Sequence, residues 1–314
     1  MSILFVLIGL SLLVFGGDIL VKGSVALATR LGMSKALIGV TLIGFGTSMP
    51  EFVATFGAAA KGAPDIAFGN VVGSNISNIL MILGAATLIS PIVIRMRGLT
   101  RDAIFVSFGS LAAVYWIYAG GISPLGGAVL IAAFVVYMTL TIRADLKAEL
   151  EASVVDDILK PLSVPMSLLF AIGGIVLLVL GAEALIRGAS DIARGFGVSE
   201  AIIGITIVGI GTSLPEATAA IISSLRGEND LAFANIVGSN VFNGLAILGV
   251  TALVHPMSFS VGGFSILDGV ILCAATAAMF ILALTHKELK RWEGALLVLA
   301  YVAYLVWLVL RAIG

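Results

Sequence analysis

The sequence predicts an all-α integral membrane protein of ten transmembrane helices, arranged as two inverted five-helix repeats. Three observations predict it. Of 314 residues, 60% are hydrophobic and 11% charged, with a mean hydropathy of +1.18, whereas a soluble domain carries about 25% charged residues. Ten apolar stretches, each long enough to span ~30 Å of hydrocarbon, follow one another with short connections. The chain also repeats itself at a constant offset of 165 residues.

The stretches are 3–28, 35–60, 66–91, 102–119, 122–142, 164–190, 200–225, 231–255, 264–284 and 291–312. Met1 to Gly17 contains no Lys or Arg. A signal peptide needs a positive n-region, so this segment is expected to be the first helix. One connection differs in composition: Arg143 to Pro161 holds five acids and three bases, the right length for a short charged helix. It divides the chain into a first repeat, 1–142, a charged linker, 143–161, and a second repeat, 162–314.

The register of the repeat runs without a gap from Gly16/Gly181 to Pro91/Pro256. It pairs Gly23/Gly188, Gly32/Gly197, Ser34/Ser199, Gly39/Gly204, Gly46/Gly211, Thr47/Thr212, Ser48/Ser213, Pro50/Pro215 and Glu51/Glu216. It continues through Asp65/Asp230, Asn70/Asn235, Gly73/Gly238, Ser74/Ser239, Asn75/Asn240, Asn78/Asn243 and Gly84/Gly249. Helix packing through small residues would explain recurring glycines. It does not explain Glu, Pro, Thr and Asn recurring in register. An odd number of spans per copy turns the second copy upside down, the architecture of many secondary transporters, with the ion or substrate site near the midplane. With the N-terminus outside, thirteen Lys and Arg fall on the cytoplasmic side and only Lys61, Arg187, Arg194 and Arg311 outside. That positive-inside bias places both termini outside and the protein in the cell membrane.

Glu51 and Glu216 are the centre of this arrangement. Each is the only charge of its apolar run, Ala36 to Ala60 and Ala201 to Leu225. A charge near the bilayer centre costs about 2.5–3.5 kcal/mol on insertion scales, so two matched glutamates point to a cation between them. Pro50 has no N–H for the carbonyl of Gly46, and its ring opens that turn. The carbonyls around Gly44 to Thr47 then need partners in a water-poor setting, and Pro215 acts likewise on those around Gly209 to Thr212. Glu51 lies four residues from Thr47 and three from Ser48, on one helix face. Carboxylate, hydroxyl and carbonyl oxygens are hard ligands, suited to Ca²⁺ or Na⁺ and poorly to Zn²⁺ or Cu²⁺. In the next span Asn70, Ser74 and Asn78 share a face, as do Asn235, Ser239 and Asn243; Ser74, Asn78, Ser239 and Asn243 are read as lining the site. Asn75 and Asn240 are read as helix–helix hydrogen bonding, and Gly69 and Gly73 as allowing close approach to the broken helix.

The remaining polar residues have simpler expectations. Asp18 with Lys22 and Glu183 with Arg187 are i,i+4 ion pairs, and Asp65 and Asp230 are helix caps favoured by the dipole. His255 and His286 fall near the ends of apolar runs and are expected at the interface. Cys273 is the only cysteine, which excludes an intrachain disulfide and a Cys-based metal site. No basic patch argues for nucleic acid.

The two blocks Gly46-Thr-Ser-Met-Pro-Glu51 with Gly73-Ser-Asn-Ile-Ser-Asn78, and Gly211-Thr-Ser-Leu-Pro-Glu216 with Gly238-Ser-Asn-Val-Phe-Asn243, resemble the two alpha repeats of the sodium/calcium exchanger family. That family lies within the cation/calcium antiporter superfamily. The resemblance covers essentially the whole chain. It implies a central site shared by Na⁺ and Ca²⁺, with alternating access by sliding of the first and sixth helices. It also implies Ca²⁺ ligation by Glu51, Glu216 and the Thr47 and Thr212 carbonyls. Flanking Na⁺ sites would use Ser48, Ser74 and the Gly44 carbonyl, and Ser213, Ser239 and the Gly209 carbonyl. In the sodium/calcium and potassium-dependent branches an Asp usually stands at one or both positions matching Asn78 and Asn243. Two amides leave the site with a charge of −2 at most. The long cytoplasmic insert of the animal exchangers is missing, as in a prokaryotic-type member.

The expected function is Na⁺-driven Ca²⁺ antiport, not an enzyme activity, with H⁺/Ca²⁺ or K⁺-dependent exchange on the same fold as the alternative. Ca²⁺ and Na⁺ are expected as substrates, the lipid bilayer as surroundings, and no cofactor. The sequence specifies no oligomeric state, and a monomer is expected. A channel would pass ions without a counter-ion. An intramembrane hydrolase would need its acid and base in different environments, which two identical blocks do not offer.

Overall fold

The structure is a computed structural model that describes residues 1–94, 98–151, 162–196, 211–259 and 265–313. It is an all-α membrane architecture. In chain order the elements are α1 (Ser2–Leu31), α2 (Lys35–Thr47), α3 (Met49–Ala60), α4 (Pro64–Ile89), β1 (Ile92–Val93), α5 (Leu99–Ala119), β2 (Gly121–Ile122) and α6 (Pro124–Glu151). The second half contains α7 (Val164–Gly195), α8 (Leu214–Leu225), α9 (Asn229–Val254), β3 (Met257–Ser258), α10 (Ile266–His286), β4 (Glu288–Leu289) and α11 (Arg291–Ile313). Among the described residues eight helices are long and apolar enough to cross a membrane, and α2 with α3 makes a ninth, bent span. The remaining span, 200–225, is described from residue 211 onward, as α8. The first nine residues of the charged segment at 143–161 continue α6 without a break, and residues 152–161 lie outside the described residues.

Among the described residues the buried apolar side chains form one large cluster and two smaller ones. Most of the core lies among α4, α5, α6, α9, α10 and α11, around Phe68, Ile79, Leu83, Tyr137, Phe233, Val237 and Met279. A second apolar cluster joins α1 to α7 through Leu13, Leu20, Val21, Ala171, Leu178 and Ala182. What allows this second pair to pack is a glycine at every seventh position of both helices: Gly9, Gly16 and Gly23 against Gly174, Gly181 and Gly188. A Cβ added at Gly23 would lie 2.5 Å from the amide nitrogen of Ala171, and one at Gly174 2.6 Å from that of Leu20. The backbones therefore touch along the whole length. Lipid tails are as apolar as leucine, so close van der Waals packing of this kind is what associates helices in a bilayer.

Two short ribbons tie the halves together crosswise. β1 pairs antiparallel with β4, Ile92 opposite Leu289, and β2 pairs with β3, Ile122 opposite Met257. The amide of Asn75 donates to the carbonyl of its own repeat mate Asn240 at 3.4 Å, in agreement with a packing role for these two residues. Three buried acids were not foreseen, Asp102, Asp268 and Glu293; the last accepts the Lys290 N–H at 2.7 Å at the start of its own helix. The other two reach further. Asp102 accepts from Arg101 at 2.7 Å and from the Tyr137 hydroxyl at 3.2 Å. Asp268 accepts from Arg311 at 3.2 Å and from Tyr304 at 3.4 Å. Asp102 and Asp268 each pin the start of one helix to a neighbour.

Two polar expectations change. The N-caps of α4 and α9 are Ala63 and Glu228, so Asp65 and Asp230 sit inside the first turn rather than at the cap. Pro64 takes the first helical position, which its fixed φ suits. Asp18 pairs with Lys22 at 2.7 Å as expected. Glu183 and Arg187 form no such pair among the described residues, and the Arg187 guanidinium lies over the ring of Phe5, 5.7 Å from its centre. His255 packs edge-on to Phe56 at 5.0 Å, while the side chain of His286 lies outside the described residues.

Candidate cation site

The chain breaks at two matched serines. Ser48 has φ −84°, ψ 6° and Ser213 φ −88°, ψ 8°, and at Ser48 the axes of α2 and α3 differ by 46°. Pro50 and Pro215 stand in the first turn of the helices that restart there. The break places Glu51 and Glu216 in the first turn of α3 and α8, where unpaired N–H groups and the helix dipole favour negative charge. A continuous helix would have put both carboxylates mid-helix without that support. The glycine before each hinge has its own reason. A Cβ at Gly46 would come within 2.3 Å of Ile175 and one at Gly211 within 2.3 Å of Ile186. Both isoleucines belong to α7, so one helix seats against both hinges.

Both glutamates are fully buried. Each is held by the other half of the chain: the Ser213 hydroxyl donates to Glu51 Oε1 at 3.2 Å, and the Ser48 hydroxyl to Glu216 Oε1 at 3.0 Å. The second oxygen of each carboxylate, Oε2, has no hydrogen-bond partner among the described residues. Burying a carboxylate with an unpaired oxygen costs several kcal/mol, and here it happens twice in one place.

The amides around them play two different parts. Asn78 and Asn243 are buried, and neither amide atom of either residue has a partner among the described residues. Both occur in π-helical turns, Asn78–Leu83 and Phe242–Ile247, a local widening often found at functional sites. Ser239 is buried with an unpartnered hydroxyl, and Ser74 is buried beside Asn75. Asn70 and Asn235, on the same sequence stripe, are used otherwise. Asn70 Nδ2 donates to the Glu51 carbonyl at 3.3 Å and to Thr55 at 2.9 Å; Asn235 Nδ2 donates to the Glu216 carbonyl at 3.2 Å. They fasten the restarted helices to α4 and α9. Spacing puts them on one face with Asn78 and Asn243 but does not say which carbonyl or hydroxyl each amide meets.

The Gly44 carbonyl accepts the Ser48 N–H at 3.3 Å, so it is not freed outright, although a carbonyl has a second lone pair. Thr47 is buried and donates to the Ile43 carbonyl at 3.0 Å and to Asn235 Oδ1 at 3.4 Å, and Thr212 is half-buried. Gly209 lies outside the described residues, as do Gly197, Ser199 and Gly204. Gly238 shows the close approach expected of its mate Gly73: a Cβ there would sit 2.6 Å from the Val40 carbonyl. A Cβ at Gly73 itself would meet nothing within 4 Å among the described residues, so Gly73 does not make the close approach expected of it there, and residues 201–210 lie outside the described residues.

Among the described residues no three His, Cys, Asp or Glu side chains gather as a metal cluster. The donors that do converge are carboxylate, amide and hydroxyl oxygens, a set that fits hard cations.

Comparison with known proteins shows which family the fold and sequence match. A family model described as sodium/calcium exchanger protein matches residues 1–143 and 166–310. The chain is 34% identical over 308 residues to the putative antiporter CaxA of Alkalimonas amylolytica, covering 96% of both chains. It is 30% identical to the sodium/calcium exchanger MaX1 of Methanosarcina acetivorans, covering 97% of both. Among solved structures it resembles the sodium-calcium exchanger NCX_Mj soaked with 2.5 mM Na⁺ and 1 mM Sr²⁺, with a TM-score of 0.84, 30% identity and 97% of both chains covered.

Proposed function

The chain belongs to the sodium/calcium exchanger family, and from that premise we propose that it exchanges Na⁺ for Ca²⁺ across the cell membrane by alternating access. Its site is built on Glu51 and Glu216. The observation that carries this reading is the buried, cross-tethered pair of carboxylates, each with one oxygen left unpartnered. One Ca²⁺ neutralises the pair, and so do two Na⁺. A bare −2 site crossing a low-dielectric barrier costs several kcal/mol per charge, so only loaded forms reorient, and exchange is coupled. Thr47, Thr212, Gly44 and Gly209 contribute carbonyls; Ser48, Ser74, Ser213 and Ser239 contribute hydroxyls. Asn78 and Asn243 contribute amide oxygens of carboxyl shape without charge. The positive-inside bias puts both termini outside.

The test is ⁴⁵Ca²⁺ uptake into Na⁺-loaded proteoliposomes, with K⁺ and pH-gradient arms. Uptake that follows the outward Na⁺ gradient supports the reading. Uptake that follows only the proton gradient replaces it with H⁺/Ca²⁺ exchange, which the two-carboxylate count also accommodates.

Two further outcomes are expected. Asn243→Asp adds a titratable charge without removing an oxygen, so Ca²⁺ binding should persist while the Na⁺ or K⁺ dependence of exchange shifts by about threefold or more. An unchanged ion profile in the flux assay would mean that Asn243 faces protein only. Protons compete for the same two carboxylates, so acidification should weaken apparent Ca²⁺ affinity and raised Ca²⁺ should restore it. Isothermal titration from mildly acidic to alkaline pH checks this. A surface-charge effect would instead be screened by salt.

A further inference from the structure

The 165-residue register exposes an asymmetry away from the glutamates. Asp18 of α1 is ion-paired with Arg226, the residue that ends α8, and with Lys22 at 2.7 Å. Beside that contact α1 lies directly on α8: a Cβ at Gly17 would be 2.9 Å from Thr218 and 3.1 Å from Ile222. The mates of Asp18, Arg226, Thr218 and Ile222 are Glu183, Lys61, Val53 and Gly57. These do the opposite. Among the described residues Glu183 and Lys61 join no ion pair, and both are exposed. Val53 is 66% exposed, and a Cβ at Gly57 would meet nothing within 4 Å among the described residues. The two halves therefore carry corresponding positions, closed between α1 and α8 and, among the described residues, open between α7 and α3.

The signs of the charges are kept although the residues differ. An acid stands on each long helix of the glycine-striped pair, Asp18 on α1 and Glu183 on α7. A base stands at the end of each restarted helix, Arg226 after α8 and Lys61 after α3. Inverted repeats exchange their contacts when access alternates between the two sides.

We infer that Asp18–Arg226 and Glu183–Lys61 are alternating ionic latches. The first closes one side of the transporter in the state seen here, and the second closes the other side in the opposite state. This rests on the alternating-access reading above. Movement of the α1–α7 pair breaks one latch, lays α7 over Val53 and Gly57, and makes the other. The side chains of Arg226 and Asp18 are 37% and 30% exposed, so the pair forms and parts within reach of water. A pair of this kind biases a two-state equilibrium by about two- to fivefold and does not lock it, which suits a transporter that must cycle.

The test is cross-linking in native membranes, on a Cys273→Ala background, with a short cleavable bis-maleimide. Lys61→Cys with Glu183→Cys and, separately, Asp18→Cys with Arg226→Cys should both cross-link. Each cross-link should stop ⁴⁵Ca²⁺ exchange, and cleavage should restore it. Adding Arg226→Gln to the Lys61/Glu183 cysteine pair, which leaves Asp18 in place, should speed that pair's cross-linking about two- to fivefold. Failure of the Lys61/Glu183 pair to cross-link under any Na⁺ or Ca²⁺ condition overturns the inference. So does cross-linking that leaves exchange running, or a rate that Arg226→Gln does not change. Cross-linking reads conformation whichever ion is carried. A protein that cross-links in both ways but is driven by protons would therefore retire the Na⁺ reading and keep the latches.

Discussion

Replacing Glu51 or Glu216 by Gln is expected to reduce Ca²⁺ exchange by about a hundredfold or more, while the protein remains folded and monodisperse. The amide keeps shape, oxygen and hydrogen-bonding capacity, so Ser213 and Ser48 retain an acceptor. What disappears is one of the two charges that face the divalent ion. Losing one member of a buried charge pair costs about 3–5 kcal/mol, and each 1.4 kcal/mol is a factor of ten. The two variants should behave alike, because the two carboxylates have equivalent tethers at 3.2 and 3.0 Å. Proteoliposome flux together with size-exclusion chromatography measures both halves of the expectation. Normal flux in either variant would end the shared-site reading.

Gly181→Leu is expected to separate α1 from α7 and to destabilise the protein severely. A Cβ at Gly181 would already lie 2.9 Å from the Leu13 nitrogen and 3.0 Å from the Gly9 carbonyl oxygen, both backbone atoms with nowhere to move. Overpacking a close contact costs about 1–3 kcal/mol. Three further carbons in a backbone-to-backbone contact should take the cost to the top of that range or beyond. The control lies on the same helix: a Cβ at Gly173 would meet nothing within 4 Å. Gly173→Leu should therefore unfold within a few degrees of the parent in a thermal scan in detergent, whereas Gly181→Leu should unfold far earlier or fail to accumulate. Equal behaviour of the two would show that the glycine stripe does not hold the pair.

Much of this molecule is legible before any coordinates. Hydrophobic length set the spans to within a few residues, as for 164–190 against Val164–Gly195, because water and hydrocarbon impose their sorting residue by residue. Repetition located the two hinges, since Pro50 and Pro215 act on the backbone of their own turn and need no distant partner. One expectation failed where the deciding partner is remote, and one stripe was divided by partners that spacing does not show. Glu183 and Arg187 have ideal i,i+4 spacing, yet Arg187 lies over Phe5 on another helix. Asn70 and Asn78 share a stripe, yet one ties down the Glu51 carbonyl and the other presents an unpartnered amide.

The sequence by itself determined the membrane class, the doubled plan and the two hinge blocks with their lone glutamates, because composition, periodicity and proline chemistry act locally. Only the tertiary structure decided that each glutamate is held by the other repeat's hinge serine, and that α7 seats against both hinge glycines. Only it decided that α1 covers α8 while α3 stays open beside α7. A sequence with near-equal halves states both versions of such a contact at once. The matched positions differ in residue and keep only the signs of their charges, and packing closes the α1–α8 set while leaving the α7–α3 set exposed.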